Sequence, residues 1–164
     1  MYNGPSINDI DKMSEDIKRS CLEFKIGGPF GALVFKDGKI VGKGVNRVLA
    51  KHDPTAHAEM EAIRDACINL KTHDLTGCTL YATGYPCPMC MSAIIWANIK
   101  EVYYSADYKD AEKIGFRDDF IFKFIKGSCK NEEILKLKAV NKESIIEIYN
   151  RFKQLVDNKE GELY

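Results

Sequence analysis

The stretch CTLYATGYPCPMCMSAIIWANIKEVYYS, residues 78–105, determines the fold class that the sequence predicts. Its first six residues, Cys78–Thr83, have the β-branched and aromatic content of a strand. After the loop Gly84–Pro88, the residues up to about Ala97 form a predicted helix, and Glu101–Ser105 form a second predicted strand. Two strands joined through a helix make a parallel crossover, so the stretch indicates an α/β protein.

The residues before this stretch predict two helices and a hairpin. Apolar side chains recur every three or four positions from Ile7 to Phe24, behind Ser6 as a capping residue, which is typical of an amphipathic helix. Asp37 and Gly38 form a strong two-residue hairpin signal. The two predicted strands of this hairpin and the second helix, which follows a proline turn, are Phe30–Phe35, Lys39–Asn46 and Ala56–Leu70.

The residues after the stretch complete the expected fold. Asp118–Ile125 and Ser144–Val156 have helical spacing, whereas Leu135–Val140 alternates apolar and polar side chains like a strand. With about five strands and about five helices, we expect a three-layer α/β/α sandwich around a mixed five-stranded sheet. The sequence contains neither internal repeats nor a linker, so residues 1–164 are expected to form a single domain.

Composition narrows the function classes. The 164 residues are 45% hydrophobic and 29% charged, which is typical of a globular domain. Lys and Arg number 24, as do Asp and Glu, and this neutral balance makes nucleic acid an unlikely partner and favours a small substrate. The longest apolar stretch, Met89–Ala97, is well short of the roughly 20 residues of a membrane span. Because the amino terminus does not resemble a secretory signal, we expect a cytoplasmic protein without membrane association.

One histidine and two cysteines are candidate metal ligands. An isolated C-x-x-C, here Cys87 and Cys90, is typical of a redox pair, of half a structural zinc site, or of part of a catalytic zinc site. A closed structural site needs four Cys or His ligands, and the chain has no second C-x-x-C and no paired histidines. Together with His57, the two cysteines supply the three protein ligands of a catalytic site. Glu59 would then be the carboxylate that takes a proton from water and passes it to a leaving group.

The motifs His57-Ala58-Glu59 and Pro86-Cys87-Pro88-Met89-Cys90 resemble the H-x-E and P-C-x-x-C signature of the zinc-dependent cytidine-deaminase-like superfamily. The similarity extends through GGPFGA (27–32), Asn46, DPTAHAE (53–59) and GFRDDFIF (115–122). These segments resemble the bacterial guanine deaminases within that superfamily. The chain departs from many of these relatives at Tyr85, because they have Glu directly before P-C-x-x-C. The resemblance therefore does not fix the shape of the loop over the metal.

The resemblance implies an activity and a set of roles. It implies hydrolysis of guanine, a small purine base, to xanthine and ammonia, with one Zn²⁺ per subunit. It implies a homodimer, in which the C-terminal segment of about residues 130–164 can be exchanged between subunits. The implied metal ligands are His57, Cys87 and Cys90; the implied catalytic residues are Glu59 and Asp118; and the implied substrate-binding residues are Phe30, Asn46, Trp96, Phe116 and Tyr164.

Other functions remain open from the sequence. A tRNA adenosine deaminase would share the metal motifs but would need a basic surface for phosphate contacts. A deaminase of cytosine or another small heterocycle would differ only in substrate. A non-enzymatic, zinc-stabilised or redox-regulated binding protein would instead have a closed four-ligand site or a Cys87–Cys90 disulfide.

Overall fold

The computed structural model describes residues 4–140 and 142–162. These residues form two compact units, Met1–Asp118 and Asp119–Tyr164, and each unit is described by itself. The strands belong to the first unit, and helices make up the regular structure described in the second. Within the described ranges, no helix is long and apolar enough to cross a membrane. The expectation that residues 1–164 form one domain stays a prediction.

Four strands form one mixed sheet in the first unit. In chain order they are β1 (Gly31–Lys36), β2 (Lys39–Val45), β3 (Thr79–Gly84) and β4 (Glu101–Ala106). Their spatial order is β2-β1-β3-β4; β1 is antiparallel to both of its neighbours, whereas β3 and β4 are parallel. The parallel pair is joined through a helix, as the sequence predicts, so the α/β class with a mixed sheet is confirmed.

The helices begin and end close to the predicted positions. A capping box formed by Ser6 and Asp9 starts the first helix, and one π-helical turn, Lys18–Glu23, continues it. Two short helices were not predicted, because four and six residues are too few for a helical period to show in the sequence. The helices of the first unit are α1 (Ile7–Ile17), α2 (Val48–Lys51), α3 (Ala58–Leu70), α4 (Pro88–Trp96) and α5 (Tyr108–Lys113), and those of the second are α6 (Asp119–Lys126) and α7 (Lys142–Asp157).

Helices cover both faces of the sheet in the first unit. On one face, Met13 of α1 packs with Leu33 and Tyr81, and its own side chain is only 1% exposed. On the other face, α3 and α4 pack against alternate residues of β1 and β3, which are Ala32, Val34, Leu80 and Ala82. Since successive strand residues point to opposite faces, this alternation produces a helix–sheet–helix arrangement of three layers.

The expectation of a fifth strand is wrong for the residues that the structure describes. Leu135–Val140 lies in the second unit and has no regular secondary structure. Leu137 and Val140 are 67% and 83% exposed. An alternating pattern shows only that one face of an extended segment is apolar; a strand also needs a neighbouring strand to pair its backbone groups.

Helix α3 lies unusually close to strand β2. A Cβ atom on Gly44 would overlap the carbonyl oxygen of Ala58 and lie 2.5 Å from the amide nitrogen of Ala62. Gly42 lies equally close to the next turn of α3. A Cβ atom added to Gly42 would lie 2.6 Å from the Cβ atom of Ala66. These two glycines therefore set the distance between β2 and the amino-terminal half of α3.

We predict that Gly44→Ala lowers the free energy of unfolding by about 1–3 kcal/mol, since the added methyl group would force β2 and α3 apart. Urea denaturation followed by circular dichroism measures the change as a lower transition midpoint. Lys39→Ala, at an exposed position on the same strand, is the control and should change stability by less than about 0.5 kcal/mol. Equal midpoints for Gly44→Ala and the unmodified protein would contradict the close contact.

Candidate metal centre

Two helix amino termini carry the three candidate ligands. His57 is the N-cap residue of α3, and Cys87 is the N-cap residue of α4, whose first residue is Pro88. Both N-cap residues have extended backbone conformations, and neither side chain caps its own helix. Cys90 lies in the first turn of α4 and is fully buried. Because neither N-cap side chain bonds to its own helix end, the two side chains can contact each other.

The three ligand atoms have the spacing of a zinc site. The Nδ1 atom of His57 lies 3.6 Å from the Sγ atom of Cys87 and 3.6 Å from that of Cys90. All three atoms lie within 4.8 Å of one another. Tetrahedral zinc with ordinary bond lengths, about 2.3 Å to sulfur and about 2.0 Å to nitrogen, places its S and N ligands about 3.5 Å apart. The donor set therefore fits zinc, with three protein ligands and a fourth position for water or substrate.

The electrostatics of the site favour a thiolate at Cys87. The Cys90 thiol donates a hydrogen bond to Cys87, which together with His57 lowers the pKa of Cys87 to about 4. The same hydrogen bond, aided by burial and by the nearby Glu59, raises the pKa of Cys90. The hydrogen bond with Cys87 raises the pKa of His57, and the carboxylates of Glu59 and Asp118 act in the same direction.

Glu59 is a buried carboxyl group beside the ligand cluster. It lies in the first turn of α3 and is only 7% exposed. Burial raises its pKa, and a hydrogen bond with Cys90 partly opposes that effect. A raised pKa brings the group closer to neutrality, where a carboxyl can both accept and return a proton. Its position next to the ligands therefore suits proton transfer.

Asn46 connects two loops of the first unit. The residue is 5% exposed, and its Oδ1 atom accepts hydrogen bonds from the backbone N–H groups of Gly28 and Val48, at 3.1 and 3.3 Å. Gly27 must lack a side chain, because a Cβ there would overlap the backbone and side-chain oxygens of Asn46. With Oδ1 satisfied by the protein, Nδ2 is the part of this amide that can donate to a ligand.

The predicted aromatic residues do not all meet. Phe30 and Phe116 form an edge-to-face pair with ring centroids 4.9 Å apart. Phe116 is 46% exposed, and Asp118, two residues later, is close enough to His57 to affect its pKa. Trp96 is the last residue of α4, about 12 Å along the helix from Pro88, and is 73% exposed. Tyr164 lies outside the described residues, so its role stays a prediction.

Two features of the site were not predicted. Tyr85 packs edge-to-face on Tyr104 of β4, with ring centroids 5.1 Å apart, and also contacts Tyr108 of α5. The sequence shows that Tyr85 is unusual at its position, but it does not show which residues Tyr85 contacts. Its two partners follow it by about twenty residues, in β4 and α5. The second feature, a polar network around Glu61 and Arg64, could have been suspected from their i, i+3 spacing on α3.

Residues 9–106 match a known family, the cytidine and deoxycytidylate deaminase zinc-binding region. The chain belongs to this family. The match contains His57, Glu59, Cys87 and Cys90, so the family confirms zinc as the cofactor that the ligand geometry indicates.

Individual relatives include two kinds of deaminase. The chain is 53% identical over 100 residues to guanine deaminase from Bacillus subtilis strain 168; that match covers 61% of this chain and 64% of the relative. The aligned part of the chain thus spans less than two thirds of that protein's length. It is also 38% identical over 125 residues to a tRNA-specific adenosine deaminase from Buchnera aphidicola subsp. Schizaphis graminum, covering 76% of this chain and 80% of the relative.

Solved structures show the same similarity. The crystal structure of guanine deaminase from Bacillus subtilis superposes with a TM-score of 0.81 and 38% identity, covering 92% of this chain and 95% of the other. A structure determined in complex with 2,6-diaminopurine superposes with a TM-score of 0.62 and 34% identity, over 66% and 60% of the two chains. The deaminase fold of the chain is therefore confirmed.

We predict that Cys87 in the metal-free protein reacts with iodoacetamide at about pH 6, where an ordinary thiol is almost entirely protonated. Because the pKa of Cys87 is lowered to about 4, its side chain is still a reactive thiolate at pH 6. The thiolate becomes protonated only as the pH falls through about 4. Reaction rates against pH, with the modified site identified by mass spectrometry, measure this behaviour.

Cys90→Ala removes the hydrogen-bond donor and should shift the reaction of Cys87 to higher pH. Cys78 serves as an internal control, because burial raises its pKa and should keep it unreactive under the same conditions. If Cys87 in the unmodified protein reacted only above about pH 8, the proposed thiolate would be wrong.

Proposed function

We propose that this protein is a zinc-dependent guanine deaminase that hydrolyses guanine to xanthine and ammonia. The observation that carries the proposal is the pairing of a three-ligand metal cluster with Glu59, a buried carboxyl group of raised pKa beside it. The extent of the similarity to guanine deaminase from Bacillus subtilis supports the choice of substrate, since 95% of that chain superposes on this one.

His57, Cys87 and Cys90 would hold the zinc ion, which when bound supplies Lewis-acid activation of a water molecule. Glu59 would take a proton from the attacking water and deliver it to ring N3 of guanine as the water oxygen bonds to C2. As the C2–N bond of the tetrahedral intermediate breaks, the remaining hydroxyl proton at C2 would pass through Glu59 or Asp118 to the amino group, which leaves as ammonia while C2 becomes a carbonyl. Xanthine is the second product.

Four of the proposed substrate contacts lie on described residues. Nδ2 of Asn46 would donate to an acceptor on the edge of the base, in an orientation set by the two backbone groups bound to Oδ1. Phe30 and Phe116 would form an aromatic wall, and their edge-to-face contact keeps the two rings in a defined orientation. Trp96 lies at the carboxyl end of α4 and would contact the base from that end of the helix. Tyr164 is proposed to close the pocket.

A tRNA adenosine deaminase is the second candidate function. The relative from Buchnera aphidicola supports it, because that alignment covers 80% of the relative. Formal neutrality of the chain speaks against it, since contact with tRNA phosphates uses a basic surface. Guanine deamination therefore remains the favoured function.

We also propose that the protein is a cytoplasmic homodimer with exchanged C-terminal segments. Several large apolar side chains of the second unit are exposed in the single chain, including Leu137, Val140, Ile148 and Tyr149. Such side chains are seldom left in water together, and a second copy of the chain would bury them.

Ammonia release from the zinc-loaded protein tests the substrate assignment. Guanine should be turned over selectively in a panel with adenine, cytosine and guanosine. Turnover of a different base would keep the zinc mechanism but overturn the assignment of Asn46, Asp118 and Tyr164 to guanine recognition. Absence of any turnover by zinc-loaded protein would favour a zinc-stabilised binding protein.

We predict that Glu59→Gln retains zinc but lowers kcat by roughly 10²–10⁴-fold or more, because glutamine cannot transfer the proton. Zinc content and ammonia release are measured on the same preparation. Glu61→Gln, two residues away on α3, leaves the proton-transfer group in place and should lose far less activity at saturating zinc. Near-normal turnover by Glu59→Gln would exclude it as the proton-transfer group.

Multi-angle light scattering at micromolar concentration should give twice the 18.6 kDa mass of one chain. Removing residues 130–164 tests the exchanged segment, and this truncation should yield monomers. A monomeric full-length protein would contradict the proposed dimer.

A further inference from the structure

The loop that delivers His57 to the metal site is connected at two points to the helix that follows it. This loop, residues 51–57, links α2 to α3 and contains short backbone hydrogen bonds, such as that from the His57 N–H to the Thr55 carbonyl at 2.8 Å. Because His57 is an N-cap residue, its side-chain position depends on the path of the loop rather than on the helix alone.

Thr55 lies at the centre of a hydrogen-bond chain within this loop. Its hydroxyl group donates to Oδ1 of Asp53 at 2.7 Å, and its backbone N–H donates to the same oxygen at 2.8 Å. The hydroxyl oxygen also accepts a hydrogen bond from Nη2 of Arg64, at 3.1 Å. The Thr55 hydroxyl thus uses its single proton in the bond to Asp53 and one lone pair in the bond from Arg64, so both bonds can exist at the same time.

Arg64 and Glu61 connect the loop to α3. The second guanidinium nitrogen of Arg64, Nη1, donates to Oε1 of Glu61 at 2.9 Å. Oε2 of Glu61 accepts from Nζ of Lys51, at the start of the loop, at 2.6 Å. The Glu61 side chain is only 11% exposed, so this carboxylate is far better shielded from water than an ordinary surface ion pair. Lys51 and Thr55 are thereby held to the first two turns of α3.

We infer that Arg64 is a positioning residue for the metal ligand His57, acting through Thr55 and Glu61 on the loop of residues 51–57. The fork of the guanidinium group bridges the loop and the helix, and keeps Nδ1 of His57 at its 3.6 Å distances from the two cysteine sulfurs. Residues hydrogen-bonded directly to a metal ligand commonly change metal affinity by roughly 10- to 100-fold when they are replaced, and Arg64 acts one step further out, through Thr55. The inference rests on the proposed zinc-dependent function.

The test is the apparent zinc dissociation constant, measured by competition with a chromogenic chelator. Thr55→Val removes the hydroxyl but keeps the side-chain volume, and should weaken zinc binding roughly 10-fold or more. Thr55→Ser restores the hydroxyl and should bind within about threefold of the unmodified protein. Zinc binding by Thr55→Val equal to that of the unmodified protein would overturn the inference.

Two substitutions of Arg64 separate its geometry from its charge. Arg64→Met keeps the stem and removes every donor, whereas Arg64→Lys keeps the charge and loses the two-pronged fork. Both should weaken zinc binding; a lysine variant with unchanged affinity would show that charge rather than bridging matters and would overturn the inference. Lys18→Met is the matched control, because it removes an exposed ion pair with Glu15 on α1 and should leave zinc binding unchanged.

The thermal midpoint of each metal-free variant distinguishes positioning from general stability. A fall in the midpoint without a change in zinc affinity would mean that the network only stabilises the fold, contrary to the inference. Glu61→Gln provides a second route if Thr55→Val does not fold, and it should also weaken zinc binding. If the unmodified protein bound no zinc, the proposed function would fail first; normal zinc binding with unaffected variants would remove only the role of Arg64.

Discussion

The close packing of α3 on β2 is the constraint on which the metal site depends. Side chains at Gly42 and Gly44 would collide with the backbone of α3, so the helix can lie at this distance only over glycine. The amino terminus of α3 is thereby placed beside that of α4, which follows directly from β3. His57 is the N-cap residue of α3 and Glu59 lies in its first turn, so this placement of the helix brings both residues beside the cysteines.

The sequence predicted the central crossover and the ligand set more successfully than the periphery. The change from strand to helix to strand between Cys78 and Ser105 is encoded in one continuous stretch, and the observed elements differ by only one or two residues. The helix predicted after the loop Gly84–Pro88 likewise has Cys87 just before its start and Cys90 in its first turn, as the structure has them. Local patterns suffice where both partners of an interaction are near each other in sequence.

Features that depend on distant partners could not be predicted in this way. The alternation in Leu135–Val140 has the period of a strand, but period alone cannot show whether a pairing partner exists. The contact of Tyr85 with Tyr104, and the bridge from Arg64 to Thr55, both join residues whose proximity follows from tertiary packing. The burial that raises the pKa of Glu59 is also a property of the packed layers, and no pattern in the motif His57-Ala58-Glu59 shows it.

The shared proton of the two cysteines has a thermodynamic consequence for metal uptake. In the metal-free site Cys87 is ionised and Cys90 keeps its proton, because one thiol donates to the other. Zinc binds thiolates and neutral imidazole, so filling the site must expel into solvent the Cys90 proton and any proton that the raised pKa of His57 keeps on its ring. Each zinc ion taken up then exchanges for at least one proton, and mass action makes the apparent association constant rise about tenfold or more for each unit of pH. Acidification would therefore act as a competitor of the metal and favour the empty site.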